Sequence, residues 1–298
     1  MNQRTPSIAR RALHILASVA LLAGLTLVWP AATGAVDAPK ETAAGALELD
    51  TQSAFSHIRI RKRGTLRSMM FVRDNGAEVF ESQIDLAQPH VLQLEYPRFF
   101  AANYLLRRQP KSVLVVGLGG GMMVHFLRHI DPQLRIDVVE IDPVVVRLAD
   151  EYFNVRTGTG VSIITADGLK FLTETSNKYD VIYLDAFLKP SAATDATGAP
   201  LDQRTRQFYK ALQSKLNPGG LVAFNVNRHA RDAEDLRNIS AAFAQTYVFP
   251  LSHEYVVLGT TDASRIADAE LEQRGRELDR QFNVPGISFH AVSKFLQR

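Results

Sequence analysis

The chain has 298 residues, long enough for one large α/β domain with a smaller module beside it. Hydrophobic residues make up 46% and charged residues 22%, a globular balance that excludes a disordered chain. Part of the net charge of +3 sits in the N-terminal arm and in the Arg61-Lys62-Arg63 run, which describes solvated surface and not a nucleic-acid footprint; the lack of cysteine excludes disulfides, thiolate catalysis and cysteine-ligated metals.

Residues Met1 to Arg11 carry Arg4, Arg10 and Arg11 and no acid. An uncharged run follows from Ala12 to Val36, densest in apolar residues between Ile15 and Trp29, with mostly small residues from Pro30 to Ala35. A basic start, a short apolar stretch and a small-residue exit predict a signal peptide or membrane anchor over residues 1–36. The Arg10-Arg11 pair leaves a twin-arginine signal open. The dense apolar core is shorter than the roughly 20 residues that cross a bilayer comfortably. Basic residues ahead of it send the rest of the chain outward. A functional segment predicts a protein anchored at a membrane or exported to the periplasmic side; without one, it is cytoplasmic. Residues 37–55, rich in Ala, Thr and Gly up to Leu49, predict a linker.

Residues 56–95 alternate in short runs. His57 to Arg61 has period two, and Arg67 to Val72 and Ala77 to Phe80 are further strand candidates. Asp74-Asn75-Gly76 between them predicts a hairpin turn, because Asn and Gly tolerate positive φ. This is a small antiparallel β module. Phe99 to Leu106 has helical spacing, and residues 96–298 make the second unit. From Lys111 onward strands alternate with helices: strands at Ser112–Val116, Arg135–Ile141, Val161–Thr165, Tyr179–Leu184 and Leu221–Val226, helices at Met122–His129, Pro143–Tyr152, Gly168–Thr175 and Thr205–Lys215. Pro218-Gly219-Gly220 predicts a turn into the strand at Leu221, and Ala263 to Phe282 a charged surface helix. Such alternation predicts a Rossmann-like, doubly wound, mostly parallel sheet.

Four sites on this framework carry chemistry. Gly117-Leu118-Gly119-Gly120-Gly121 joins a strand to a helix, where glycines let backbone approach a ligand. Met122 stands where a dinucleotide fingerprint has Gly or Ala, which favours a nucleoside without pyrophosphate. Glu140 ends the next strand, 19 residues beyond Gly121, at the distance of an acid that accepts from ribose hydroxyls. Asp167-Gly168 follows the third strand; this acid is either an adenine-amino acceptor or a helix N-cap. Asp185 ends the strand Tyr179-Asp180-Val181-Ile182-Tyr183-Leu184, beside the crevice where ligands of such sheets bind, and a carboxylate there can take a proton from an attacking amine.

These sites in this order, behind a β module, resemble the spermidine synthase (polyamine aminopropyltransferase) family. Tyr179-Asp180-Val181-Ile182 running into Asp185 is similar to the family's stretch before its catalytic aspartate. Thr205-Arg206-Gln207-Phe208-Tyr209, then Leu216 and Pro218-Gly219-Gly220, resemble its next helix and strand, and Glu81 to Leu86 with Glu95-Tyr96-Pro97-Arg98 resemble its joining stretch. The resemblance covers about Ser56 to Pro250 and implies the class I S-adenosylmethionine-dependent methyltransferase fold. It implies transfer of an aminopropyl group from decarboxylated S-adenosylmethionine to an amine such as putrescine, in polyamine biosynthesis. Gly117, Gly119, Gly121, Glu140, Asp167 and Gly168 would bind the donor nucleoside, and Asp185 with Tyr96 would place and deprotonate the amine. The donor is a co-substrate; no prosthetic group and no metal are implied, and the eight histidines show no ligand spacing. Partners are a small-molecule amine or other nucleophile, not nucleic acid. Membrane association rests on residues 1–36, and homodimers occur in the resembled family.

The pattern departs at three places. Gly120 stands for a loop aspartate facing the donor's amine, Leu188 for a second aspartate after Asp185, and Tyr96-Pro97-Arg98 for Tyr-x-Glu. A charged hydrogen bond is worth roughly 1.5–3 kcal/mol. Losing two or three toward a dication weakens it on the order of a hundred- to several-thousand-fold. An S-adenosylmethionine-dependent methyltransferase is therefore an alternative, since Gly120 leaves room for the intact donor's carboxylate, and a non-catalytic nucleoside-binding module is a second. The long polar stretch Phe187 to Gln203, with Pro190 and Pro200, predicts a lid over the acceptor site.

Overall fold

A computed structural model describes residues 44–187, 194, 198–201 and 204–296. The predicted signal or anchor therefore lies outside the described residues, as does most of the predicted lid. Among the described residues, no helix is long and apolar enough to cross a membrane.

Four strands, β1 (Ala46–Gln52), β2 (His57–Arg63), β3 (Leu66–Val72) and β4 (Glu78–Asp85), form an antiparallel sheet in sequential order. The period-two pattern of β2 has the expected result: Ile58 and Ile60 are fully buried, while Arg59 and Arg61 turn outward and pair with Glu78 at 2.9 and 2.5 Å. Two expectations are corrected. Residues 46–52 are not linker; they pair with β2 along its length across a four-residue connection, a pairing that the small and acidic residues of Ala46–Asp50 do not advertise. The hairpin turn places only Gly76 at positive φ, because the Asn75 side chain instead accepts from the Ala77 amide at 3.0 Å.

The second sheet has seven strands in the order β10-β11-β9-β8-β5-β6-β7. Its parallel strands are β5 (Ser112–Val116), β6 (Arg135–Glu140), β7 (Val161–Thr165), β8 (Tyr179–Leu184) and β9 (Leu216–Asn227). The antiparallel edge, β10 (Gln245–Pro250) and β11 (Glu254–Thr260), follows a helix that sequence patterning also left unassigned. Strand β9 begins earlier than expected and carries Pro218-Gly219-Gly220 within it, accommodated by a register shift against β8. The expected helix over Phe99–Leu106 is two short ones, α1 (Tyr96–Phe100) and α2 (Asn103–Leu106).

Alternation divides the core into two layers. Val113, Val115, Val181 and Tyr183 pack on one face with α3 (Met122–Ile130) and α4 (Pro143–Phe153), joined there by the C-terminal α8 (Asp268–Phe282) and α9 (Phe289–Leu296). Leu114, Val116, Ile182 and Leu184 pack on the other with α5 (Gly168–Glu174), α6 (Arg206–Ser214) and α7 (Asp232–Ala242). Each fully buried aliphatic side chain contributes roughly 1.5–3 kcal/mol. Asp180, 3% exposed, accepts from the Lys111 amide at 2.6 Å, from the Ser112 amide at 3.2 Å and from Arg107 at 2.7 Å. Burial opposes its charge, yet these bonds hold its pKa below the ordinary range, so Asp180 clamps the entry ends of β5 and β8.

Strand order reverses between β5 and β8, the topological switch point of the sheet. The β module docks at that end. Ser53 Oγ donates to Asp142 at 2.5 Å, and the Gly120 amide donates to Ser82 Oγ at 2.9 Å.

Candidate active site

The glycine loop leaves β5 with Gly117 at φ +96°, Gly119 at +51° and Gly121 at +80°. The three positions serve different contacts. A β-carbon on Gly117 would lie 2.1 Å from the Asp185 carbonyl oxygen, so only glycine allows the loop to pass the end of β8. One on Gly119 would lie 2.8 Å from Ser82 Oγ, and one on Gly121 would press into Val155. Gly117 and Gly119 line the cavity beyond the loop, whereas Gly121 faces Val155 and starts α3.

Glu140, 9% exposed, ends β6 and lines the same cavity. One carboxylate oxygen accepts from the Leu118 amide and the other from the Asp142 amide, both at 2.9 Å. Burial raises its pKa, and those two amides counter the rise. Glu140 thus fixes the glycine loop and keeps lone pairs for a ligand's hydroxyls. Asp142 caps α4 by accepting from the Val144 amide at 2.9 Å. Asp167 caps α5 by accepting from the Lys170 amide at 2.8 Å, so the cap reading holds for one oxygen; its side chain is exposed at the cavity wall beside Gly168.

Asp185 closes the cavity at the end of β8. Tyr96 donates its hydroxyl to Oδ2 at 2.7 Å, and Asn225 donates its amide to Oδ1 at 2.9 Å. Burial raises the Asp185 pKa, while the Asn225 and Tyr96 bonds oppose that rise. Tyr96 is pushed well above its ordinary range, first by burial and then by Asp185, and stays a donor. Glu254 on β11 is also raised, by burial, then by Glu95 and Asp185. Carboxyls that raise one another hold their charge less readily, and a cation placed among them would relieve that repulsion.

The structure thus brings Gly117, Gly119, Glu140, Asp167, Gly168 and Asp185 onto one cavity, with Tyr96 behind Asp185. That cavity measures about 960 Å³ including its open mouth, room for a nucleoside with a side chain. Sequence reasoning missed four contributors. Phe55, Phe71 and Glu81 of the β module also line the cavity. Asn225 orients Asp185, and the only signal for it was a polar residue inside the apolar run of β9. A β-carbon on Gly120 would sit 3.1 Å from both Phe153 and Ser82, so a side chain there would press on both neighbours, and Gly120 is not among the residues that line the cavity.

Residues 100–262 match the spermine/spermidine synthase domain. A polyamine aminopropyltransferase of Vibrio vulnificus is 27% identical over 179 residues, 59% of this chain and 58% of that protein. An eEF1A lysine and N-terminal methyltransferase of Mus musculus is 31% identical over 193 residues, 61% of this chain and 27% of that protein. The chain therefore spans less than two thirds of either relative's own length. Among solved structures, a probable spermidine synthase from Corynebacterium glutamicum superposes with a TM-score of 0.63 at 23% identity, covering 86% of this chain and 94% of that one. Human methyltransferase-like protein 13 in complex with SAH superposes with a TM-score of 0.58 at 25% identity, covering 64% and 94%. The first of these speaks for the fold alone.

Proposed function

Because the chain belongs to the spermine/spermidine synthase domain family, we propose that it transfers the aminopropyl group of decarboxylated S-adenosylmethionine to an amine such as putrescine. The observation that carries this reading is the group of acids around Asp185. Glu81 lines the same cavity as Asp185, and Glu254 beside it feels the Asp185 charge. Such a group favours a donor with a sulfonium and an ammonium, and an acceptor that is itself a cation.

The acceptor ammonium has no lone pair. Asp185 takes one of its protons, and Tyr96 and Asn225 hold the carboxylate in place while it does so. The free amine attacks the propyl carbon beside the sulfonium. The new C–N bond forms as the C–S bond breaks, and the sulfur leaves as a neutral thioether. The nitrogen becomes a secondary ammonium, and the proton on Asp185 passes to solvent. Because the leaving group is good, positioning and one base supply most of the catalysis.

Removing the Tyr96 hydroxyl makes the role of the pair measurable. Tyr96 lowers the Asp185 pKa, so Tyr96→Phe raises it, and the base then requires a higher pH to be ionised. The acidic limb of the kcat–pH profile is expected to move upward in Tyr96→Phe; an unmoved or lowered limb contradicts the assignment. The direct test of the function is product analysis. Incubation with decarboxylated donor and putrescine should yield methylthioadenosine and spermidine in equal amounts.

A second reading, methyl transfer from intact S-adenosylmethionine, is supported by the similarity to the Mus musculus methyltransferase. Transfer of a methyl group in place of aminopropyl in the same assay would establish it.

A further inference from the structure

Resting on that reading and deepening it, we infer that Glu81 of the β module is the donor-specificity residue: its carboxylate receives the ammonium of the donor's aminopropyl tail and selects a donor that lacks a carboxylate.

Placement comes first. Glu81 lies on β4, whose next residue Ser82 accepts from the Gly120 amide at 2.9 Å, so the strand is fixed against the glycine loop. The Glu81 side chain runs past Gly119, where a β-carbon would come within 3.6 Å of its Cγ. It lines the cavity together with Glu140 and Asp185. Glu140 is the expected ribose acid and Asp185 faces the reacting carbon; Glu81 shares the cavity with both and feels the charge of both, which places it beside the path of the tail.

Next comes what Glu81 lacks. Among the described residues no side chain or backbone group donates a hydrogen bond to its carboxyl, and Arg73 is the one cation acting on it. Burial raises its pKa well above the ordinary range, and Asp185 and Glu140 add to the rise. Glu81 is half-buried on the cavity wall, so its carboxyl is open to a ligand, and an ammonium there would offset the charge that Asp185 and Glu140 make unfavourable. The glycine loop carries no acid, so the loop itself cannot supply the counter-charge.

The choice of donor follows from charge. The decarboxylated donor brings a sulfonium and an ammonium and no anion, and each finds a carboxylate. The intact donor carries its carboxylate on the carbon that bears the ammonium, which would place an anion among Glu81, Asp185 and Glu140. Like charges there destabilise the complex.

The test uses Glu81→Gln in the full chain and calorimetric titration with three nucleosides: the decarboxylated donor, the intact donor, and methylthioadenosine, which has neither sulfonium nor ammonium. Glu81→Gln is expected to weaken the decarboxylated donor about 10- to 100-fold and to leave methylthioadenosine unchanged, which also shows that the pocket is folded. Preference for the decarboxylated over the intact donor should shrink by the same factor. Equal weakening of all three nucleosides, or no weakening of the decarboxylated donor, overturns the role of Glu81. Preference of the unsubstituted chain for the intact donor overturns the reading on which the inference rests, and is seen before any variant is made.

Discussion

Asp185→Asn is expected to lower kcat by about 10²- to 10⁴-fold, the range for loss of a positioned general base, while the donor still binds. Asparagine keeps the shape of the side chain but cannot accept a proton from the acceptor ammonium. Its carbonyl oxygen can still accept from Asn225, and its amide can donate to the Tyr96 oxygen, so the geometry at the end of β8 survives. Steady-state rates paired with donor titration separate chemistry from binding. A fall of less than about tenfold would remove Asp185 from the role of base, because positioning alone would then account for the rate. A matching loss of donor affinity would instead make it a binding residue.

The second large effect is structural. Gly117→Ala puts a methyl 2.1 Å from the Asp185 carbonyl oxygen and 2.8 Å from its carbonyl carbon, at a φ of +96°. The conformation alone costs about 1–3 kcal/mol for a residue with a β-carbon. The overlap is with backbone, so no rotamer relieves it; either the loop lifts or the end of β8 moves. Stability should fall by about 4 kcal/mol, in the upper tail for single substitutions, and donor binding should be lost with it. Gly120→Ala is the matched control. Its φ is ordinary and its new methyl meets side chains at 3.1 Å, which can shift by a few tenths of an ångström. Chemical denaturation should therefore show a large loss for Gly117→Ala and a small one for Gly120→Ala. Equal losses would mean that the Gly117–Asp185 contact does not hold the site together.

These two residues were legible in the sequence because both sit at strand ends. A doubly wound sheet repeats strand, turn and helix, and the residue types at those turns stand out against the apolar strands: glycines after Val116, an acid at Glu140, an acid at Asp185. Asp167 shows the limit of such reading, since one carboxylate can cap a helix and face a cavity at once, and residue order does not separate the two. Glu81 and Asn225 were not legible as site residues for a different reason. Their importance comes from packing between segments far apart in the chain: β4 against the glycine loop, and β9 beside β8. Strand β1 was hidden for another reason: its pairing with the next strand, β2, decides its conformation more than its own composition does.

Glu81, Glu140 and Asp185 share one cavity, and the proposed aminopropyl transfer predicts that it prefers ligands with positive charge and no carboxylate. The most direct measurement is calorimetric titration of the full chain with decarboxylated and with intact S-adenosylmethionine under one set of conditions. Aminopropyl transfer predicts tighter binding of the decarboxylated donor; tighter binding of the intact donor, or binding of neither, would contradict it.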